Sequence, residues 1–275
     1  MSTMGDTTRE MATFLRTRRE RLAPGEVGLP DRKRARRTPG LRREEVAELA
    51  GVSVDYVVRL EQGRGLRPSA DVLDALAGAL RLSEDERAYL FDLARQRQAG
   101  RQRKTEVADQ LVRLLGDLSP LPAMVVNHRN DILAWNPEMT KLVLDFGEVP
   151  EAQRNGLWLC LLHPSMRTFY LDRAQIIREG IADLRAAWAM YPDDPTFAQL
   201  VDELTGRSDE FAHFWAQQDV QVRGRGVKRM RHPVGGLLTV TFEVLTSLQD
   251  PDQRLIVYRA AEQASQAALD AITGR

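Results

Sequence analysis

Apolar residues keep a helical spacing as far as Leu118, and short strand-like runs take over from Ala123. Met11 to Arg21 predicts a helix with Phe14, Leu15 and Leu22 turned inward and Arg16, Arg19 and Glu20 outward. Pro24 and Gly25 end it, and an extended segment, 26–30, follows. Val46, Ala47, Leu49 and Ala50 give the next short helix its apolar face. Gly51 breaks that pattern, Val52 fills the angle, and Ser53 caps another helix that buries Val57 and Leu60 and stops at Gly63. Ser69 precedes a helix from Ala70 to Leu80 that buries Val72, Leu73, Leu76 and Leu80. Ser83 and Glu86 form a capping box for a helix through Arg95, with Tyr89, Leu90 and Leu93 inside. Gln96 to Lys104 is polar and basic and reads as a linker or a helix extension. In Thr105 to Leu118, Val107, Leu111, Leu114, Leu115 and Leu118 share one stripe of an amphipathic helix.

The later runs predict strands at Ala123–Asn127 and Asp131–Trp135, closed into a hairpin by the turn at 128–131. Asn136-Pro137 is a helix cap followed by proline at the first helical position. A helical middle follows, in which Ile177, Ile181, Leu184 and Trp188 repeat at helical spacing, as do Phe211, Phe214 and Trp215. Gly224-Arg-Gly226 reads as a turn. Strands at Val227–Pro233, Gly236–Leu245 and Arg254–Glu262 come next, and the alanine-rich tail is helical. The chain is therefore an α+β protein: an all-helical domain, then a domain of helices and antiparallel sheet. The boundaries fall at a disordered tail 1–9, a first domain 10–96, a linker helix 97–118 and a second domain 119–275.

A length of 275 residues suits two domains, and 43% hydrophobic with 28% charged residues is the composition of a soluble globular chain. There is no run of 18 apolar residues and no apolar signal-peptide core near Met1, so the expected location is cytoplasmic. Cys160, the one cysteine, stands in an apolar run and is expected to be a buried, inert thiol. The net charge of zero conceals a split. Residues 1–104 hold 22 basic and 16 acidic side chains, whereas residues 105–275 hold 17 and 23. Such a split points the first domain, not the second, towards an anion.

Glycine in the turn, serine at the cap and apolar residues at these offsets describe a helix-turn-helix over 41–64. This stretch resembles the Xre and lambda-repressor-like regulators, and Glu45, Val46, Ala47, Gly51, Val52, Ser53, Val57, Leu60, Glu61 and Gly63 fit their pattern. Arg43 replaces the usual glutamine and Val58 a frequent serine, so no operator is carried over. The resemblance implies double-stranded DNA as partner, a lambda-repressor-like fold and a homodimer with two recognition helices about 34 Å apart. It also implies that Arg43 and Ser53 hold phosphates, that Val54, Asp55 and Arg59 face bases, that Tyr56 does either, and that Arg64 flanks them. Arg59 to guanine is the leading base contact, with an ion pair as its alternative role. Glu61 reads as a structural partner for an arginine. Ahead of the motif, Arg32, Arg34, Arg36 and Arg37 form a basic strip expected to cross phosphates or enter the minor groove.

The second domain resembles a PAS-like sensor in its order of elements. The stretches Asp131–Asn136, Lys228–Pro233 with Gly235 and Gly236, and Arg254–Tyr258 are similar to the MmyB-like ligand-binding domain. That family implies a transcription regulator with an apolar pocket for a small, fatty-acid-like molecule. Taken alone, Trp158, Phe169, Tyr170, Phe211, Phe214 and Trp215 read first as plain core; the resemblance makes them, with Trp135, candidate pocket wall. A polar anchor is sought among Asn136, Arg231 and His232. Asn136 reads equally as a helix cap, and His232 as a residue before proline. The alternative function for this domain is dimerisation without a ligand.

Enzyme chemistry is not expected. The four histidines (His128, His163, His213 and His232) are scattered, with no partner at metal-ligand spacing. No nucleophile elbow occurs, and Gly224-Arg-Gly226 lacks the third glycine of a phosphate loop. No cofactor or metal is expected, and no membrane.

Overall fold

The computed structural model describes residues 4–30, 40–64, 67–94, 106–192 and 194–274. The chain divides into two units: residues 1–99 with 185–195 and 217–221 form the first, and residues 100–184, 196–216 and 222–275 the second.

The first unit contains α1 (Met4–Arg21), a 3-10 turn (Pro24–Val27), α2 (Arg43–Ala50), α3 (Val54–Glu61), α4 (Ala70–Ala79) and α5 (Glu84–Ala94). Helix α1 begins at Met4, so most of the expected disordered tail is helical, and the expected extended segment starts as a 3-10 turn. The core is the apolar stripes of these helices, with Phe14, Leu41, Leu60, Leu76 and Leu90 almost fully buried. Ser69 caps α4, and Ser83 with Glu86 makes both bonds of the capping box. Two expected facings are reversed: Leu49 is exposed, and Arg19 is buried at 3%. Helical period is coarse enough that a residue at the edge of a stripe goes either way, and Arg19 has a partner that sequence spacing does not reveal. Its guanidinium binds Glu61 at 2.5 and 3.0 Å and the Leu41 carbonyl at 2.9 Å.

Helix α9 (Arg173–Met190) gives its last turns, from Arg185 on, to this first unit. Ala186, Ala189 and Val220 join its core. Arg185 has no exposed surface; it pairs with Glu10 and donates to Gln218 Oε1 at 3.0 Å. Tyr89 Oη donates to the same Glu10 oxygen at 2.8 Å. Periodicity identifies a buried face on α9, but not the core that face enters.

The second unit opens with α6 (Asp109–Asp117), shorter than its apolar stripe suggests. Next are β1 (Ala123–Asn127), β2 (Ile132–Trp135), α7 (Pro137–Leu142), α8 (Gly156–Leu162) and the first part of α9. They are followed by α10 (Pro195–Arg207), α11 (Asp209–Ala216), β3 (Arg225–His232), β4 (Gly236–Thr246), β5 (Gln253–Ala260) and α12 (Gln263–Thr273). The strands form one antiparallel sheet in the order β2-β1-β5-β4-β3. Successive strand residues point to opposite faces, and here both faces are covered. Ala123, Val125 and Leu255 pack on Leu115 of α6, while Met124, Val126 and Ile256 face a cavity. That two-sided burial explains why β1 reads as a continuous apolar run rather than an alternation. Gly226 lies inside β3, not in a turn, and sits opposite Phe242 of β4. A Cβ there would lie 2.7 Å from the Phe242 ring, so the absence of a side chain leaves that ring its place.

Candidate functional site

The helix-turn-helix is built from α2 and α3. Gly51 adopts the left-handed conformation, with φ at 64°, and its N–H meets the last carbonyls of α2. An L side chain there would be strained, so glycine makes the sharp turn. Val52 packs partly buried against the core, and Ser53 Oγ accepts the Tyr56 N–H at 3.1 Å, starting α3. On the inner side of α3 are Val57, Leu60 and Glu61; Ser53, Val54, Asp55 and Arg59 are exposed and Tyr56 is half-buried. The side chains expected to meet DNA from α3 are thus on its solvent side. Arg59 makes no ion pair among the described residues, so its guanidinium is available.

Arg43 binds Glu61 Oε2 through Nε at 2.7 Å and remains 42% exposed. It lines a shallow concavity with Arg9, Arg16 and Arg64. Arg9 and Arg16 were not among the expected contacts, although their separation of seven residues places them on one face of α1. Arg32, Arg34, Arg36 and Arg37 lie outside the described residues. Four arginines and one carboxylate, Glu61, thus line this concavity.

The second unit holds a cavity of about 170 Å³. Its floor is the sheet face carrying Met124, Val126, Phe242, Val244 and Ile256, and its walls include Met139 of α7, Leu159 of α8 and Ile176 of α9. Polar groups are few. Arg223 pairs with Glu179 at 2.8 Å, and Arg254 with Asp183 at 2.8 Å and Asn130 at 2.9 Å. Lys228 has no carboxylate among the described residues. Its Nζ donates to Tyr258 Oη at 3.0 Å and sits 5.1–5.5 Å from the ring centres of Tyr170, Phe242 and Tyr258. Burial works against the Lys228 charge, while the hydrogen bond to Tyr258 Oη and the neighbouring rings favour it. Burial likewise holds the Tyr170 phenol above its usual range. An ammonium carries three N–H donors and a phenol one O–H.

Cys160 also lines this cavity. Burial raises its thiol pKa, against the opposing pull of Lys228 and Arg173. Less thiolate at neutral pH means slower alkylation. Iodoacetamide should label Cys160 several-fold more slowly in the folded chain than in urea at the same pH. Equal rates would show a solvated, ordinary thiol.

Of the aromatic residues weighed as pocket wall, Tyr170 lines the cavity; Trp135, Asn136, Trp158, Phe169, Phe211, Phe214, Trp215, Arg231 and His232 do not. Trp135 and Phe169 stand one layer back, edge-on to the lining residues Phe146 and Tyr170. Trp158 donates to Glu203 at 3.0 Å, Phe211 stacks on Trp215 at 5.5 Å, and Phe214 lies under Arg178. Asn136 is fully used as a cap and strand clasp. His232 bonds the Lys141 carbonyl and the Val234 and Gly235 N–H groups. Arg231 is on the exposed side of β3, one residue out of phase with Lys228. Lys228, the cation in the cavity wall without a carboxylate among the described residues, had one signal: it is among only four lysines beside 35 arginines, and it sits in a strand.

No helix among the described residues is long and apolar enough to cross a membrane, and no cluster of three or more metal-ligand side chains occurs there. A family model described as the MmyB-like transcription regulator ligand binding domain matches residues 107–272, more than half of the chain. Another, described as a helix-turn-helix domain, matches residues 10–90. No curated protein matches.

Proposed function

Because the chain belongs to the MmyB-like transcription regulators, with a helix-turn-helix domain ahead of a ligand-binding domain, we propose that it is a sequence-specific regulator controlled by a small apolar molecule. The observation that carries the DNA half is the outer face of α3, where Arg59, without an ion pair among the described residues, stands beside Val54 and Asp55. In this reading residues 10–96 bind DNA, 97–118 connect, and 119–275 sense a small, fatty-acid-like ligand in a PAS-like domain. The first domain works as an Xre-type module. Arg59 contacts guanine, Val54 a thymine methyl, and Arg9, Arg16, Arg43 and Arg64 the phosphates.

Operators for such motifs are read by dimers, so the working form is a homodimer in the cytoplasm. Val112 and Leu114 remain exposed on α6 at 49% and 41%, which suits a contact through that helix. No catalytic step is assigned to either domain.

The test is a gel shift on the chain's own upstream DNA at physiological salt. Specific binding should exceed binding to random DNA, and Arg59→Ala should reduce the specific affinity by about 1–3 kcal/mol while leaving non-specific binding nearly unchanged. Equal binding to both DNAs by the wild-type chain would sink the reading. The second reading, a purely dimerising C-terminal domain, is disfavoured by the 170 Å³ cavity and by a lysine in its wall with no carboxylate among the described residues.

A further inference from the structure

The cavity has a composition that selects its occupant. Three cationic side chains line it, Lys228, Arg223 and Arg254, against two carboxylates, Glu179 and Asp183. The arginines pair one to one with the carboxylates at 2.8 Å, which leaves the single charge of Lys228 uncompensated among the described residues. A lone ammonium removed from water is costly. The rings of Tyr170 and Phe242 and the Tyr258 hydroxyl offset part of that cost and hold the ammonium in place, yet the hydroxyl occupies one of its three donors. The Tyr170 hydroxyl, in the same lining, makes no hydrogen bond among the described residues.

Two positioned donors and one surplus positive charge fit a single carboxylate. A phosphate monoester would bring more charge than the wall compensates, and an amine would be repelled. The space sets the rest of the molecule. A dry cavity of about 150 Å³ takes a benzene ring, and this one measures about 170 Å³. A ring or a chain of about six carbons fills that space, and the rest of a longer acyl chain would have to leave through its open side and gain less apolar burial. Met124, Val126, Phe242 and Ile256 supply the apolar contact for such a body.

We infer that the ligand of the second unit is a compact monocarboxylic acid, an aryl or short-chain alkyl carboxylate, whose carboxylate is held by Lys228 and Tyr170. The inference rests on the reading of this unit as ligand-binding and narrows it. It also moves the anchor from Asn136, Arg231 and His232, which the cavity does not reach, to a residue on the inner face of β3.

Calorimetric titration of the full chain with hexanoate, benzoate, hexan-1-ol, hexylamine and hexadecanoate tests it. Hexanoate or benzoate should bind about 10- to 100-fold more tightly than hexan-1-ol, the gain of a charge-assisted hydrogen bond to a desolvated partner. Hexylamine should not bind, and hexadecanoate should bind less well than the short acids. Lys228→Met should erase the preference for acid over alcohol without weakening hexan-1-ol, and Lys228→Arg should retain it. Equal binding of hexanoate and hexan-1-ol by the wild type would overturn the carboxylate and leave the apolar pocket standing. Tightest binding by hexadecanoate would overturn the compact ligand. Absence of all binding would remove both this inference and the ligand-sensing reading, while the gel shift would still decide the DNA half. Should Lys228→Met fail to fold, the wild-type series by itself separates these outcomes.

Discussion

Replacing Glu61 by alanine should destabilise the first unit by about 3–5 kcal/mol, the usual cost of leaving a buried charge without its partner. The Glu61 and Arg19 side chains are only 2% and 4% exposed. Two parallel hydrogen bonds join them, and Arg43 adds a third at 2.7 Å. Burial works against the Arg19 charge, but Glu61 outweighs it and holds the Arg19 pKa above the ordinary arginine value. Without Glu61, the guanidinium keeps only the Leu41 carbonyl and the partly exposed Glu20. The pair ties the end of α3 to α1 and holds Arg43, so the loss should also cost DNA binding. Glu61→Gln should lie between, because the amide oxygen still accepts while the charge of Arg19 goes unmatched. Urea titration followed by circular dichroism measures the change; a loss below about 1 kcal/mol would show that water reaches the pair and replaces it.

Asn136→Ala should cost the second unit about 3 kcal/mol or more, because its side chain uses its full hydrogen-bonding capacity. The oxygen accepts from the Ala123 and Met139 N–H groups at 3.0 and 3.1 Å, and the amide donates to the Leu121 and Leu115 carbonyls at 2.8 and 3.2 Å. The residue is 2% exposed, so water does not replace these bonds. Loss of the cap alone costs about 0.5–2 kcal/mol, and each buried group left unpaired adds about 1–3 kcal/mol before relaxation. Asn136→Asp should be nearly as damaging, since it keeps both acceptor contacts and loses both donors. Because Asn136 does not line the cavity, folded Asn136→Ala protein should bind hexanoate with wild-type affinity. Weaker binding at unchanged stability would assign Asn136 to the ligand after all.

The two asparagines that cap α7 and α8 show how much local pattern reveals. Asn136 before Pro137 reads as a cap from two neighbouring letters. Asn155 makes the same kind of bond to Leu157 and Trp158 N–H groups, and it also donates to Asp131 and the Arg129 carbonyl. Those partners are 24 and 26 positions away and leave no trace in the local sequence.

The same boundary separates the two candidate sites. The recognition face is legible because a short helix with a cap and an apolar side must expose the remaining side, and Ser53 to Arg59 lie within two turns. The cavity is not. Aromatic residues at helical spacing mark burial but not a void: Phe211 stacks on Trp215 and Trp158 donates to Glu203, outside the cavity lining. Lys228 becomes an anchor through sheet register, which sets Gly226 against Phe242 and Phe242 against Tyr258. A shift of one residue would turn Arg229 inward and Lys228 outward.

The sequence by itself determined the elements of this protein: the helix-turn-helix, its caps, the strands and the α+β order. Each follows from side chains a few positions apart, where periodicity and capping act. Tertiary structure alone decided which core receives the end of α9, which arginine Glu61 holds, and which face of the sheet encloses a cavity around one lysine. Those depend on pairings between residues tens to hundreds of positions apart, and on volume left unfilled, for which a linear pattern has no signature.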